Sequence, residues 1–469
     1  MHTSTTSTVP LEPWTADELA EATQGYWYSD QAPQGEIKRI LSDSRHAEQG
    51  DAFLALKGER FDAHDFIAQV AEKGCQIAIV SHPVDVDICQ LVVSDTRLAL
   101  GHLGAYRRAR HAQLKVIALT GSSGKTTTKE MLGSILSRLA PTLITRGNLN
   151  NDLGVPMMLL ELRAEHQYAV MELGASHQGE IDYTSNLVQP HVAGILNIGT
   201  AHMGEFGGRD GICRAKSEIY SHISPSGTSI IPAQDDFTDQ IRAAVQTEKS
   251  LSFGEDGDVF ATDIVLHAQS SSFMINTAQG TRSVNLPFAG LHNVHNAEAA
   301  TAFALAIGIG LDDIVAGLET AQGAKGRLNF IRKANYLFID DTYNANPTSM
   351  RAAAEVLAQQ DGIKVLVMGD IGELGDSAAQ QHYLLGRDLV SVQGINFVVA
   401  VGEFAPAAQE GARSTQYGKK MQAFLNQAQA LPLLTSLVET HQPQSMSFLF
   451  KGSRYTHMET LMTELMEKL

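Results

Sequence analysis

The chain has 469 residues, of which 43% are hydrophobic, 19% charged and 6% aromatic, with a formal net charge of -17; that length exceeds what one core fills, so three domains are expected. The composition excludes a largely disordered chain, and acidity without a long Lys or Arg run excludes general nucleic-acid binding, so an anionic ligand must meet locally gathered positive charge. Three widely spaced cysteines (Cys75, Cys89, Cys213), a polar start over residues 1–10 and no membrane-length apolar run predict a folded cytoplasmic protein, expected as a monomer.

In chain order, the first block (1–113) carries apolar strand candidates at 51–56, 77–80 and 91–93 and a helical stretch at 63–73, which reads as a small α/β domain. The second block (114–325) opens with the apolar run 115–119, passes through a Gly-rich turn, and continues into a helix. Its apolar positions Met131, Leu132, Ile135, Leu136 and Leu139 share one face. Further buried strands at 168–173 and 192–198 predict a parallel sheet wrapped by helices, and alternation over 259–288 predicts a short antiparallel meander. The third block (326–469) repeats the strand-helix rhythm at 336–339, 364–368, 397–401 and 448–450, as in a Rossmann-like domain. No G-x-G-x-x-G follows its first strand, so a nicotinamide or flavin dinucleotide is not indicated.

The segment Thr120-Gly121-Ser122-Ser123-Gly124-Lys125-Thr126-Thr127 lies between a strand and a helix, where backbone N–H groups and the helix dipole hold phosphate oxygens. Lys125 would reach the outer phosphates, and Thr126 offers the hydroxyl that takes a phosphate-linked Mg²⁺. Leu119 stands where the general consensus has its first Gly, so the loop is a shortened variant. Glu172 and His202 each follow the carboxyl end of an apolar strand, where ligand sites gather in open α/β sheets. A carboxylate suits Mg²⁺, whereas a histidine is a less usual partner for so hard a cation. In His292-Asn293-Val294-His295-Asn296, ahead of a helix predicted over 297–307, an amide could serve as the cap.

The phosphate loop, Glu172, His202 and several later motifs occur in the order found in the Mur ligases, which this chain resembles over nearly its whole length. The motifs are Gly147-Asn148-Leu149-Asn150-Asn151-Asp152-Leu153-Gly154-Val155-Pro156, Ala215-Lys216-Ser217-Glu218-Ile219 and Asp340-Asp341-Thr342-Tyr343-Asn344-Ala345-Asn346-Pro347. The resemblance is to the member that joins D-alanyl-D-alanine to a UDP-N-acetylmuramoyl-tripeptide. It implies a two-step reaction in which ATP phosphorylates the tripeptide carboxylate and the dipeptide amine then displaces phosphate.

The same resemblance implies roles for particular residues. Gly121 to Thr127 would hold the nucleotide with Asn293 and Asn296 beside its adenine, Arg327 directed at the γ-phosphate and Asp341 on the ribose. Thr126, Glu172, His202 and Lys216, the last as a carbamate, would support two Mg²⁺ ions. Tyr343, Asn344 and Asn346 would receive the incoming dipeptide, together with the stretches 369–375 and 451–454. Asn148, Asn150 and Asn151 would also face substrate, and Ser44 and Arg45, with Lys57 nearby, would hold the UDP-sugar end. Apart from the resemblance, the split of these motifs between the second and third blocks leads to the expectation that the third domain closes on the second, with Gly323 and Gly326 absorbing the backbone rotation. Other amide ligases of the superfamily, either the one adding the third peptide residue or a folylpolyglutamate synthase, share the nucleotide machinery. The Asp340 to Pro347 stretch lacks the Asp-Asn-Pro-Arg motif of diaminopimelate addition. A nucleotide-dependent regulatory switch is the alternative outside enzymes.

Overall fold

The computed structural model describes residues 11–30, 32–58, 61–200 and 203–469. The chain divides into two compact units: residues 1–118, 140–174 and 180–191 form the first, and residues 119–139, 175–179 and 192–469 the second. Both are α/β.

The first unit holds a five-stranded sheet in the spatial order Tyr26–Trp27, Cys89–Val92, Ile77–Val80, Ala52–Leu54, Ile40–Leu41. Only the edge pair Tyr26–Trp27 runs antiparallel. Strand pleating sends alternate residues to opposite faces. Ala52, Leu54, Ile77 and Ile79 therefore pack with Leu19, Leu100 and Leu103, while Phe53, Ala78 and Val80 pack with Ile67 and Val70. Asp95 starts the helix Thr96–Ala109 by accepting from the N–H groups of Arg97 and Leu98. The predicted helix at 63–73 begins instead as a 3₁₀ turn, Ala63–Phe66, before the α-helix Ile67–Glu72. The parallel pair Thr142–Ile144 and Tyr168–Glu172 completes this unit beside the first residues of the strand Lys115–Thr120, whose Lys115 N donates to Gln167 O.

In the second unit, Val192–Ile195, Thr228–Pro232 and Lys249–Phe253 run parallel, and Leu196 N donates to Thr120 O at the end of the strand that leads into the phosphate loop. The expected meander is present as three antiparallel strands, Phe260–Leu266, Ser271–Thr277 and Gly280–Leu286. The helix Lys125–Ser137 buries Met131, Leu132, Ile135 and Leu136 completely, but Leu139 lies past its end and is exposed, which corrects the predicted five-residue face. The last sheet has the order Asn329–Lys333, Tyr336–Asp340, Met446–Lys451, Ile363–Gly369, Phe397–Val401, Met421–Phe424. Its first strand is antiparallel and the rest are parallel, with one apolar cluster on each face. Among the described residues no helix is long and apolar enough to cross a membrane.

Candidate active site

Strand Lys115–Thr120 is apolar and buried past its first residue, and helix Lys125–Ser137 begins at once after four loop residues. Asn197, just beyond the neighbouring strand, brackets that loop. Its Oδ1 accepts from Ser123 N at 3.0 Å and Ser123 Oγ at 3.2 Å, and its Nδ2 donates to Ser123 O at 3.1 Å. Ser122 N donates to Asn197 O, and Ser122 Oγ accepts from Gly199 N. Sequence reasoning missed Asn197 because the strand predicted over 192–198 ran through it, whereas the strand ends at Ile195 and leaves Asn197 in the loop beyond. Lys125 Nζ donates to Gly121 O at 2.8 Å, and Thr126 and Thr127 follow in the first helical turn, at the positive end of the helix dipole.

Gly124 caps this helix with φ +79°, and a Cβ there would lie 2.3 Å from Asn296 Oδ1. Gly124→Ala is therefore expected to cost roughly 1–2 kcal/mol and to lower nucleotide affinity by about tenfold. Thermal melts and titration with a fluorescent nucleotide check this; unchanged affinity would show that the contact yields freely.

Asn296 belongs to the helix Leu291–Ala306, which starts six residues earlier than expected, after Gly290. This corrects the capping reading of the His292 to Asn296 segment. Asn293 sits inside the first turn, donates from Nδ2 to Ala289 O at 2.8 Å, and accepts from Asn296 Nδ2 at 3.0 Å. The pair is buried and directed by the helix itself toward Gly124. His292, in the same turn, has its imidazole pushed down to about 4, first by burial and then by the charges of Lys451 and His295.

At the entry to the last sheet, Gly326 has φ +72° and stacks its backbone on Tyr343, whose N–H donates to Gly326 O at 3.1 Å. The Arg327 guanidinium lies 4.5 Å from the centre of the Tyr343 ring, and its buried Nε has no hydrogen-bond partner among the described residues. Asp341 is buried; its Oδ2 meets Lys451 Nζ at 2.7 Å and its Oδ1 accepts from Leu328 N at 3.2 Å. Asn344 Oδ1 accepts from Ala345 N, while Asn346 caps helix Pro347–Ala358 through Ser349 N at 2.8 Å. Asn346 Nδ2 also reaches Ser122 O at 3.3 Å, so the last domain's loop touches the phosphate loop. Glu373, at φ +63° in the stretch 369–375, has its carboxyl raised by burial and by Glu205, with Lys125 acting in the opposite sense. Lys216 is buried on helix Arg209–Ser217.

In the first unit, Glu172 is buried at the end of its strand; its Oε1 accepts from Asn150 Nδ2 at 2.9 Å and its N–H donates to Thr145 Oγ1. Asn150 N donates to Asn148 O, and Asn151 Oδ1 accepts from Gly154 N, so the Asn-rich loop is folded around its own amides with one of them presented to Glu172. Ser44 and Arg45 lie on a 3₁₀ turn, and the exposed Arg45 guanidinium is held by Asp43 through Nε at 2.9 Å and Nη2 at 2.7 Å. Lys57 Nζ lies 3.6 Å from Asp62. His202 lies outside the described residues. Among the described residues no group of three or more His, Cys, Asp or Glu side chains is gathered for a metal. The Glu172 carboxylate and Thr126 hydroxyl are nonetheless hard oxygen donors, which fit Mg²⁺ rather than a softer ion.

Three family models match consecutive parts of the chain: "Mur ligase family, catalytic domain" over residues 36–119, "Mur ligase middle domain" over 119–304, and "Mur ligase, glutamate ligase domain" over 326–454. The UDP-N-acetylmuramoyl-tripeptide--D-alanyl-D-alanine ligase of Escherichia coli K12 is 41% identical over 435 residues, covering 92% of this chain and 94% of the relative. A crystal structure of MurF from Acinetobacter baumannii is 74% identical with a TM-score of 0.95, covering 98% and 100% of the two chains. A MurF ligase structure from Thermotoga maritima in complex with ADP is 27% identical with a TM-score of 0.81, covering 92% and 98%.

Proposed function

The chain belongs to the Mur ligase family, and from that premise we propose how its residues carry out the reaction. It is an ATP-dependent ligase that joins D-alanyl-D-alanine to UDP-N-acetylmuramoyl-tripeptide, giving the pentapeptide, ADP and phosphate, in peptidoglycan precursor synthesis. The observation that carries the assignment of roles is the loop Gly121 to Gly124, bracketed by Asn197 and Asn296 and followed by Lys125 at the helix start.

A carboxylate does not acylate an amine until one of its oxygens joins a leaving group. In the first step a terminal carboxylate oxygen of the tripeptide bonds to the γ-phosphorus as the bond to ADP breaks. In the second, the dipeptide amine bonds to the acyl carbon, phosphate leaves, and the amine gives up a proton. The loop N–H groups and Lys125 hold the phosphates and offset charge on the transferring group, and Arg327, whose Nε lacks a protein partner among the described residues, is directed to the same charge. Asn293 and Asn296 face the base, Asp341 the ribose, and Tyr343, Asn344 and Asn346 the incoming dipeptide, while Ser44, Arg45 and the Asn148 to Asn151 loop serve the UDP-tripeptide.

Thr126, Glu172, His202 and Lys216 as a carbamate would hold two Mg²⁺ ions, which when bound would neutralise phosphate charge. Lys216 is buried, and its assignment as a carbamate rests on the family resemblance. The cytoplasm is the proposed location, where all three cysteines stay free.

Purified protein incubated with ATP, Mg²⁺, D-alanyl-D-alanine and the diaminopimelate- or lysine-bearing UDP-tripeptide is expected to give a UDP-pentapeptide by mass spectrometry. ATP hydrolysis without that product would refute the ligase reading. Glu172→Gln is expected to raise the Mg²⁺ concentration needed for half-maximal rate by roughly tenfold, through loss of an anionic ligand. An unchanged Mg²⁺ dependence would assign Glu172 a structural role.

A further inference from the structure

The strand Met446–Lys451 and the turn that follows it carry two side chains, Lys451 and Ser453, whose polar atoms are bonded inside the protein. Lys451 is 1% exposed, and its ammonium is held by Asp341 Oδ2 at 2.7 Å and Asn344 O at 2.9 Å. Ser453 is 6% exposed: its Oγ accepts from Gly372 N at 2.8 Å and lies 3.5 Å from Ala345 O, and its N–H donates to Asp370 O at 2.9 Å. The stretch 451–454 was expected to meet the incoming dipeptide directly. A lysine this deeply enclosed between a carboxylate and a backbone carbonyl does not extend to a ligand, and Ser453 has its hydroxyl committed to neighbouring loops.

A buried ammonium is costly to desolvate, and an apolar residue of equal length would pack as well. Its presence is accounted for by what it orders. Lys451 joins Asp341, on the nucleotide side, to Asn344, on the acceptor side; Asp341 in turn fixes Leu328 beside Arg327. Ser453 connects only the acceptor-side loops, through Ala345 and Gly372. The second of these loops is further pinned by His382 Nε2, which accepts from Ile371 N at 3.0 Å, and it presents Glu373.

We propose that Lys451 and Ser453 are positioning residues for ligation, which touch neither ATP nor dipeptide but hold the loops 341–346 and 370–375 in the shape that receives them. The proposal rests on the reading of this protein as the D-alanyl-D-alanine-adding ligase. Because the two side chains tie different loops, they carry different kinetic signatures.

The test is steady-state kinetics of full-length Lys451→Met, Lys451→Arg and Ser453→Ala against each of the three substrates, with thermal melts. Ser453→Ala is expected to raise KM for D-alanyl-D-alanine roughly tenfold and to leave KM for ATP and UDP-tripeptide within about twofold. Lys451→Met is expected to raise KM for both ATP and dipeptide roughly tenfold, again sparing UDP-tripeptide, and Lys451→Arg to recover part of the loss. Should Lys451→Met not fold, Ser453→Ala, which deletes one hydroxyl, carries the test. KM values that stay unchanged, or that rise equally for all three substrates in step with a lower melting temperature, overturn the inference. If the wild-type protein forms no pentapeptide, the functional reading falls and this inference with it; wild-type product with unaltered variants overturns the inference alone.

Discussion

Lys125→Ala is expected to lower ligation by roughly 10³-fold or more while leaving the melting temperature nearly unchanged. Lys125 is the first residue of its helix, where alanine is at least as good a helix former, and its partly buried side chain contributes little to the core. What it supplies is a cation beside the phosphate loop, with Nζ 2.8 Å from Gly121 O. Within the helix's first turn, residues 125–128, no other residue carries a positive charge. Product formation by mass spectrometry, read with a thermal melt, checks the result. Turnover within about threefold of wild type would remove Lys125 from the site.

The second large effect concerns Lys216. Lys216→Ala is expected to be nearly inactive, by roughly 10²-fold or more, and to be partly restored by acetate or propionate. The side chain is 2% exposed, so its truncation beyond Cβ leaves an enclosed space once filled by three methylenes and the terminal nitrogen, into which a short carboxylic acid fits. A carboxylate placed there replaces the anionic end of a carbamate, whereas it would be the wrong sign to replace an ammonium. Rescue by short carboxylates but not by alkylamines therefore separates the two. Full activity of Lys216→Ala, or rescue by amines alone, would dismiss the carbamate.

Strands with unbroken apolar runs were legible to the residue: 77–80 and 397–401 were placed where the structure has them. Such runs are buried on both faces and bounded by polar or glycine residues, so nothing competes with the strand reading. Short edge strands such as Thr142–Ile144 and Met421–Phe424 were missed, because three or four residues with one face exposed carry no distinctive pattern. The helix Leu291–Ala306 was started six residues late for a different reason. Its first two turns carry His292, Asn293, His295 and Asn296, of which Asn293 and Asn296 are buried toward Gly124 and His295 is exposed, and these polar residues erase the apolar periodicity that announces a helix.

Gly124 and Lys125 were legible because a phosphate loop between a strand and a helix demands those residue types, whereas Lys216 was singled out by resemblance alone and its role stands as a proposal. Asn197 had neither advantage, being a lone polar residue after a strand whose partner, Ser123, lies 74 positions earlier. Lys451 was visible in the sequence, but its burial and its pairing with Asp341 were not, because a lone lysine after an apolar strand carries no sign of which way its charge is turned.

The side chain of Asn346 has two ends with separate duties, Oδ1 on Ser349 N and Nδ2 on Ser122 O. Aspartate, serine and threonine serve a helix start about as well, but none of them has a second, donating end. The position therefore discriminates among residues that a simple helix start would treat as interchangeable. An aspartate there would keep the helix while placing a carboxylate oxygen against the Ser122 carbonyl, turning an attraction between the two loops into a repulsion. Contact with the phosphate loop is thus decided, separately from local folding, by the identity of a single atom, nitrogen or oxygen, at one side-chain terminus.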